Sequence, residues 1–187
     1  MNRIAIFASG SGSNAENIIN YFSDNEEFEV VLILSNNPKA FVLERAKKYD
    51  LESVVFSSND LKYSTKVLDT LKEYDASIVV LAGFLLKIPK YLIRHYPNAI
   101  VNIHPALLPK YGGKGMYGMN VHRAVVDNKE SESGITIHYV NENYDEGAII
   151  FQASCAIAST DSPNEVQAKV QELEALHFAK VIESIIE

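Results

Sequence analysis

A chain of 187 residues with 47% hydrophobic and 22% charged side chains can bury a substantial core and suits one folding unit, which excludes a disordered protein. Its 24 acidic and 17 basic side chains leave a formal net charge of -7, a balance that repels phosphate backbones, so nucleic acid is not an expected partner. The single cysteine, Cys155, excludes an intrachain disulfide framework, and the absence of a signal-peptide pattern or a long apolar run predicts a cytoplasmic protein that is neither exported nor membrane-spanning.

Short runs of branched apolar residues alternate with longer segments of helical period, the pattern of a parallel sheet covered by helices. Residues 4–8 read as a buried strand, 15–22 as a helix, 30–34 as a second strand and 40–48 as a second helix. A short strand over 54–56 follows, then one helix over 61–74 with Leu61, Val67, Leu68 and Leu71 inward, then a strand over 78–81 that ends at Gly83. Pro89 suits the first turn of a short helix over 89–95, Pro97 marks a turn, and 99–104 reads as a fifth strand. Two prolines and four glycines exclude regular structure over 105–119, which is expected to be a long surface loop of the kind that carries function. Beyond it, 121–127 reads as helix, 135–140 and 149–158 as strands, and 163–186 as one long terminal helix. The expected fold class is α/β, a Rossmann-like and mostly parallel sheet flanked by helices, forming one domain over 1–187.

Three segments are equipped for chemistry. Gly10-Ser11-Gly12-Ser13-Asn14 stands between a buried strand and an amphipathic helix, where small residues and a helix start favour an anion. A dinucleotide site requires a third glycine where Ala15 stands and an acid where the second strand ends in Ser35, Asn36 and Asn37; a triphosphate loop requires Gly-Lys-Ser/Thr. Both are missing, so nicotinamide is not expected and a monophosphate is the better ligand; the bland alternative is a helix cap without ligand. Asn102-Ile103-His104-Pro105 closes the fifth strand, and alternation puts Asn102 and His104 on one face, at the carboxyl end where parallel sheets collect ligands. Asp145, in a turn between the last two strands, is a plain turn former unless its loop folds back over the fifth strand, where it orients His104, raises its pKa and joins proton transfer. An amide, an imidazole and a carboxylate suit acyl transfer to an amine, with Asn102 and protonated His104 donating to the oxyanion and Asp145 receiving a proton directly or through water. Cys155, in a largely apolar strand, is expected to be buried and to play no role.

With these residues together, the chain resembles the phosphoribosylglycinamide formyltransferases, folate-dependent enzymes of purine (IMP) biosynthesis. The resemblance rests on Gly10-Ser11-Gly12-Ser13-Asn14, on Leu81-Ala82-Gly83-Phe84, on the run Asn102-Ile103-His104-Pro105-Ala106-Leu107-Leu108-Pro109, and on the Asp145 turn, and it covers nearly the whole chain. It implies 10-formyltetrahydrofolate as co-substrate and glycinamide ribonucleotide as acceptor, a phosphate-binding half over about 1–100, and a formyltransferase-type catalytic and folate-binding half over about 101–187. The catalytic trio of the family falls on Asn102, His104 and Asp145, and its phosphate and ribonucleotide contacts on Gly12, Ser13, Asn14, Pro105 and Glu174, with Glu172 close by on the same helix. The folate pocket falls around Leu85, Leu86, Lys87 and Ile88 together with Val140 and Asn141 of the 140–145 loop. Some members carry methionine and arginine after the Gly-Phe pair, where Leu85 and Leu86 stand here. The glycine-rich run from Tyr111 to Gly118 resembles a variant branch; it either lines the phosphate site, where Lys114 helps, or covers it. His122 and His138 match histidines common in the family and are read as structural or supporting, because the chemistry needs one imidazole.

Two relatives of the same core are disfavoured. The formyltetrahydrofolate hydrolases share the trio but usually carry an amino-terminal regulatory domain, for which this chain leaves no room; methionyl-tRNA formyltransferase adds a carboxyl-terminal nucleic-acid-binding domain. A non-catalytic phosphometabolite-binding protein needs the glycine-rich turn alone and has no use for the trio. No metal is expected, since the five histidines lack ligand spacing. The expected partners are the two small substrates, with the protein a monomer or homodimer.

Overall fold

The computed structural model describes residues 1–185, so the predicted helix end at Ile186 lies outside the described residues. The chain divides into two compact units, Met1–Val101 and Asn102–Glu187.

The first unit is built from β1 (Asn2–Phe7), α1 (Ser13–Phe22), β2 (Phe28–Ser35), α2 (Val42–Lys48), β3 (Ser53–Val55), α3 (Ser58–Tyr63), α4 (Lys66–Glu73), β4 (Ile78–Leu81), α5 (Lys90–His95) and the start of β5 (Ile100–His104). β1 pairs in parallel with β2 on one side and β4 on the other, and β2 pairs in parallel with β3. Buried on both faces over its last four residues, β1 needs apolar side chains there, and Ile4, Ala5, Ile6 and Phe7 are fully buried. α1 lays Ala15, Ile18, Ile19 and Phe22 inward, the i, i+3, i+4 spacing of a half-buried helix, and Phe22 stacks on Phe28 at 5.0 Å. Phe7, Phe56 and Phe84 pack together at centroid separations between 5.2 and 6.0 Å, the buried Phe7 and Phe56 contributing about 2–3 kcal/mol each.

The helix expected over 61–74 is two helices. Ser64 is extended, with φ -131° and ψ 168°. Its hydroxyl donates to the Asp60 carbonyl at 2.9 Å and accepts from Lys66 N–H at 3.3 Å, so one side chain closes α3 and opens α4. A capping box between Ser57 and Asp60 starts α3 three residues earlier than the apolar period indicates.

The second unit holds the end of β5, α6 (Met119–Asp127), β6 (Glu132–Tyr139), β7 (Ile149–Ala156) and α7 (Pro163–Ser184). β6 and β7 are antiparallel, with Gly134 opposite Ser154 and Thr136 opposite Gln152, and the strand order is β3-β2-β1-β4-β5-β6-β7. β7 stops at Ala156 because Asp161 turns the chain, accepting from Ala158 N–H at 2.9 Å. α7 begins with a Ser162–Glu165 capping box and Pro163 in its first turn. Cys155 is half-buried rather than buried, because β7 alternates between covered and exposed positions, and partial burial still pushes its thiol up.

Candidate active site

β5 delivers the central pair. Asn102 and His104 share one face while Ile103 is buried on the other, and only 4% of His104 is exposed. β6 contributes His138, 2% exposed. The loop after β6 brings Asp145 back to both histidines: one carboxylate oxygen lies 3.6 Å from His104 Nδ1 and the other 3.7 Å from His138 Nε2. Asp145 adopts φ +55°, a left-handed conformation that short polar side chains tolerate best.

The hydrogen bonds fix the tautomers. His138 Nδ1 lies 2.9 Å from its neighbour's carbonyl, Tyr139 O; a carbonyl only accepts, so Nδ1 carries the hydrogen. In the neutral ring Nε2 then accepts, and Asn102 Nδ2 donates to it at 3.0 Å. One amide hydrogen of Asn102 is thereby used and the other is left for a ligand. His104 Nε2 donates to the Tyr111 carbonyl at 2.7 Å, so the Nδ1 lone pair of neutral His104 faces Asp145. The hydrogen expected for an oxyanion is directed to Tyr111 instead. Gly113 N–H donates to Asp145 at 2.8 Å, so the same turn touches both the imidazole and the carboxylate.

Burial decides the charge of His104. Desolvation pulls its pKa below the ordinary value, and the opposing pulls of Asp145 and the Tyr111 carbonyl do not restore it, contrary to the expected net rise. Burial alone raises the Asp145 pKa, but the neighbouring His138 and His104 rings and the Gly113 N–H outweigh it, so Asp145 is an anion with its pKa lowered. His122, on α6 and 3% exposed, is pushed down to about 4, chiefly by burial.

The chain just after His104 is pinned by two residues that the sequence does not single out. Thr136 Oγ1 donates to the Ala106 carbonyl at 2.7 Å and accepts from Leu108 N–H at 2.9 Å; Gln152 Nε2 donates to the Leu108 carbonyl at 3.1 Å. Half-buried Pro105 lies in this pinned run. His138 has the same standing: its role depends on the neighbouring strand, and its only sequence signal is its match to the family.

The other expected residues are found as follows. In the first unit, Gly12 caps α1 with φ +74° and no side-chain bond, leaving the first N–H groups of Ser13 and Asn14 to other partners. A Cβ at Gly12 would lie 2.5 Å from the Val42 side chain, so the turn demands glycine. Arg45 closes the turn, its Nε donating to the Ser11 carbonyl at 2.8 Å while its guanidinium pairs with Glu16. Leu85 is 48% exposed, Ile88 is buried, Leu86 is half-buried and Lys87 exposed; Leu85 N–H donates to Ser9 Oγ at 3.0 Å. In the second unit, Val140 is half-buried, and the Asn141 amide orders its own loop by donating to the Glu146 carbonyl at 3.1 Å. Lys114 is exposed; on α7, Glu174 is half-buried and Glu172 exposed.

A cluster of an amide, two imidazoles and a carboxylate at the carboxyl end of a strand in a mostly parallel α/β sheet stands where such folds collect ligands. Residues 2–182 match the formyl transferase family, to which the chain belongs. It is 37% identical to the chloroplastic phosphoribosylglycinamide formyltransferase of Arabidopsis thaliana over 99% of this chain, but it spans 65% of that protein, less than two thirds of its length. It is 34% identical to the phosphoribosylglycinamide formyltransferase of Haemophilus influenzae, over 97% of this chain and 86% of that one. Glycinamide ribonucleotide transformylase 1 from Geobacillus kaustophilus superposes with a TM-score of 0.90 at 30% identity, covering 100% of both chains. Among the described residues, no helix is long and apolar enough to cross a membrane, and no group of three or more His, Cys, Asp or Glu side chains is placed to hold a metal ion.

Proposed function

We propose that the protein transfers the formyl group of 10-formyltetrahydrofolate to the amine of glycinamide ribonucleotide, a step of purine biosynthesis, in the cytoplasm. The observation that carries this reading is the cluster of Asn102, neutral His104 and anionic Asp145, with the His104 Nδ1 lone pair 3.6 Å from the carboxylate. Membership of the formyl transferase family and the names of relatives similar along nearly the whole chain support it.

In this reading the substrate amine attacks the formyl carbon, and the carbonyl oxygen becomes an oxyanion that the second Asn102 amide hydrogen stabilises. His104 accepts the amine proton at Nδ1, and Asp145 stabilises the imidazolium that forms. The bond from the formyl carbon to the folate nitrogen then breaks, and His104 returns the proton to that nitrogen. The acceptor gains the formyl group, and no enzyme nucleophile takes part. For binding, the reading assigns the phosphate to Gly12, Ser13 and Asn14, further ribonucleotide contacts to Pro105, Lys114 and Glu174, and the folate to Leu85, Leu86, Lys87, Ile88, Val140 and Asn141.

Absorbance-monitored turnover of 10-formyltetrahydrofolate with and without glycinamide ribonucleotide tests the reading. Folate product only with the ribonucleotide present is expected; equal product without it indicates a hydrolase, and no product with either indicates a binding protein.

A further inference from the structure

The turn over 110–113 presses two main-chain groups onto the catalytic cluster, the Tyr111 carbonyl on His104 Nε2 at 2.7 Å and the Gly113 N–H on Asp145 at 2.8 Å. Neither contact needs a particular side chain at 111 or 113; both need the turn to stay in place. Its conformation is not one the chain prefers. Tyr111 has φ +56°, in the left-handed region that a residue with a Cβ avoids unless its surroundings hold it there.

Glu130 supplies the hold. Its Oε1 accepts from Tyr111 Oη at 2.8 Å and from Lys110 Nζ at 3.0 Å, and Oε2 accepts from the same ammonium at 3.2 Å. The Lys110 side chain is 66% exposed, so its pairing is screened, and the charge-assisted bond from Tyr111 is the stronger tie. Glu130 is itself fixed by the end of α6: Lys129 turns the chain with φ +53°, and Glu130 N–H donates to the Val125 carbonyl at 3.2 Å.

The tautomer of His104 depends on this arrangement. An adjacent carboxylate favours the imidazole hydrogen on the nitrogen facing it, which here is Nδ1. A carbonyl against Nε2 favours the opposite choice. We propose that Glu130 is a positioning residue: through Tyr111 Oη it holds the Tyr111 carbonyl on His104 Nε2, and so keeps open the Nδ1 lone pair that takes the proton of the attacking amine. Glu130 touches none of the reacting atoms and acts only through the turn.

The test uses E130A, Y111F and E130Q in the full chain, with two readouts. The first is the protonation pattern of the His104 ring nitrogens by nitrogen-15 NMR, without substrate; the second is turnover of the formyl donor. The first is independent of the function proposed above, and the second rests on it. The expected result is an Nε2–H form dominant in the unaltered protein and eroded in both E130A and Y111F. Their kcat then falls roughly tenfold or more, as misplacement of a reacting group does, with KM for both substrates within about twofold. E130Q, whose amide oxygen still accepts from Tyr111, lies between E130A and the unaltered protein. An unchanged Nε2–H population in Y111F overturns the proposal, and so does a loss in E130A that appears in KM alone. If the unaltered protein shows no turnover, the function is wrong and the ring-nitrogen readout still decides the role of Glu130.

Discussion

Asp145 combines three contacts, with His104, His138 and the Gly113 N–H, and its side chain is 12% exposed. Asp145→Asn keeps the shape and removes the charge that stabilises an imidazolium. Turnover is expected to fall roughly a hundredfold or more with circular dichroism unchanged, and near-normal turnover removes Asp145 from the mechanism. His122 is a test by stability instead of by rate. Its Nδ1 is buried without a hydrogen-bond partner, and its pKa in the folded chain is about 4 against about 6.5 unfolded. The unfolded chain takes up a proton that the folded chain refuses, so stability is complete above pH 6.5 and is lost as pH falls toward 4. His122→Leu is expected to flatten that limb of the denaturation profile, by about 2–3 kcal/mol at its foot; an unaltered slope contradicts the assignment. Alternation along a strand was enough to pair Asn102 with His104 from the sequence. It gave no reason to choose His138, whose place beside Asn102 depends on which strand lies next to β5.

At the scale of elements, the sheet was legible where strands are buried on both faces, because β1, β2 and β4 are short apolar runs with no competing period. The helix over 61–74 failed as one element because its apolar residues keep step across Ser64, while the hydroxyl that breaks it acts through bonds that periodicity does not register. The 105–119 loop was legible as a loop from its glycines and prolines, but its contacts with His104 and Asp145 are made by main-chain atoms and leave no mark in residue type. Gly134 belongs to the same scale. A Cβ there would lie 2.1 Å from the Ala153 carbonyl on β7 and 2.8 Å from the Leu107 side chain. Gly134→Ala is expected to lower the urea midpoint, with a loss of about 3 kcal/mol, whereas Gly10→Ala, which meets nothing within 4 Å, stays within about 0.5 kcal/mol. Equal effects of the two substitutions contradict the packing described for β6.

For the whole molecule, the proposed function divides the tasks along the chain: phosphate recognition to the turn before α1, proton handling to β5 and the loop after β6. Asn14→Leu is therefore expected to weaken binding of the phosphorylated substrate, measured by calorimetry, more than binding of folate; an equal loss for both indicates misfolding. The net charge of -7 is compatible with an anionic substrate only if recognition is local, as a helix start would make it. The most direct test of the central claim, transfer without a covalent enzyme intermediate, is to follow a carbon-13 formyl label by mass spectrometry in a single turnover. The label is expected on the ribonucleotide amine in step with free folate while the mass of the protein stays constant. Label released as formate, or retained on the protein, contradicts it.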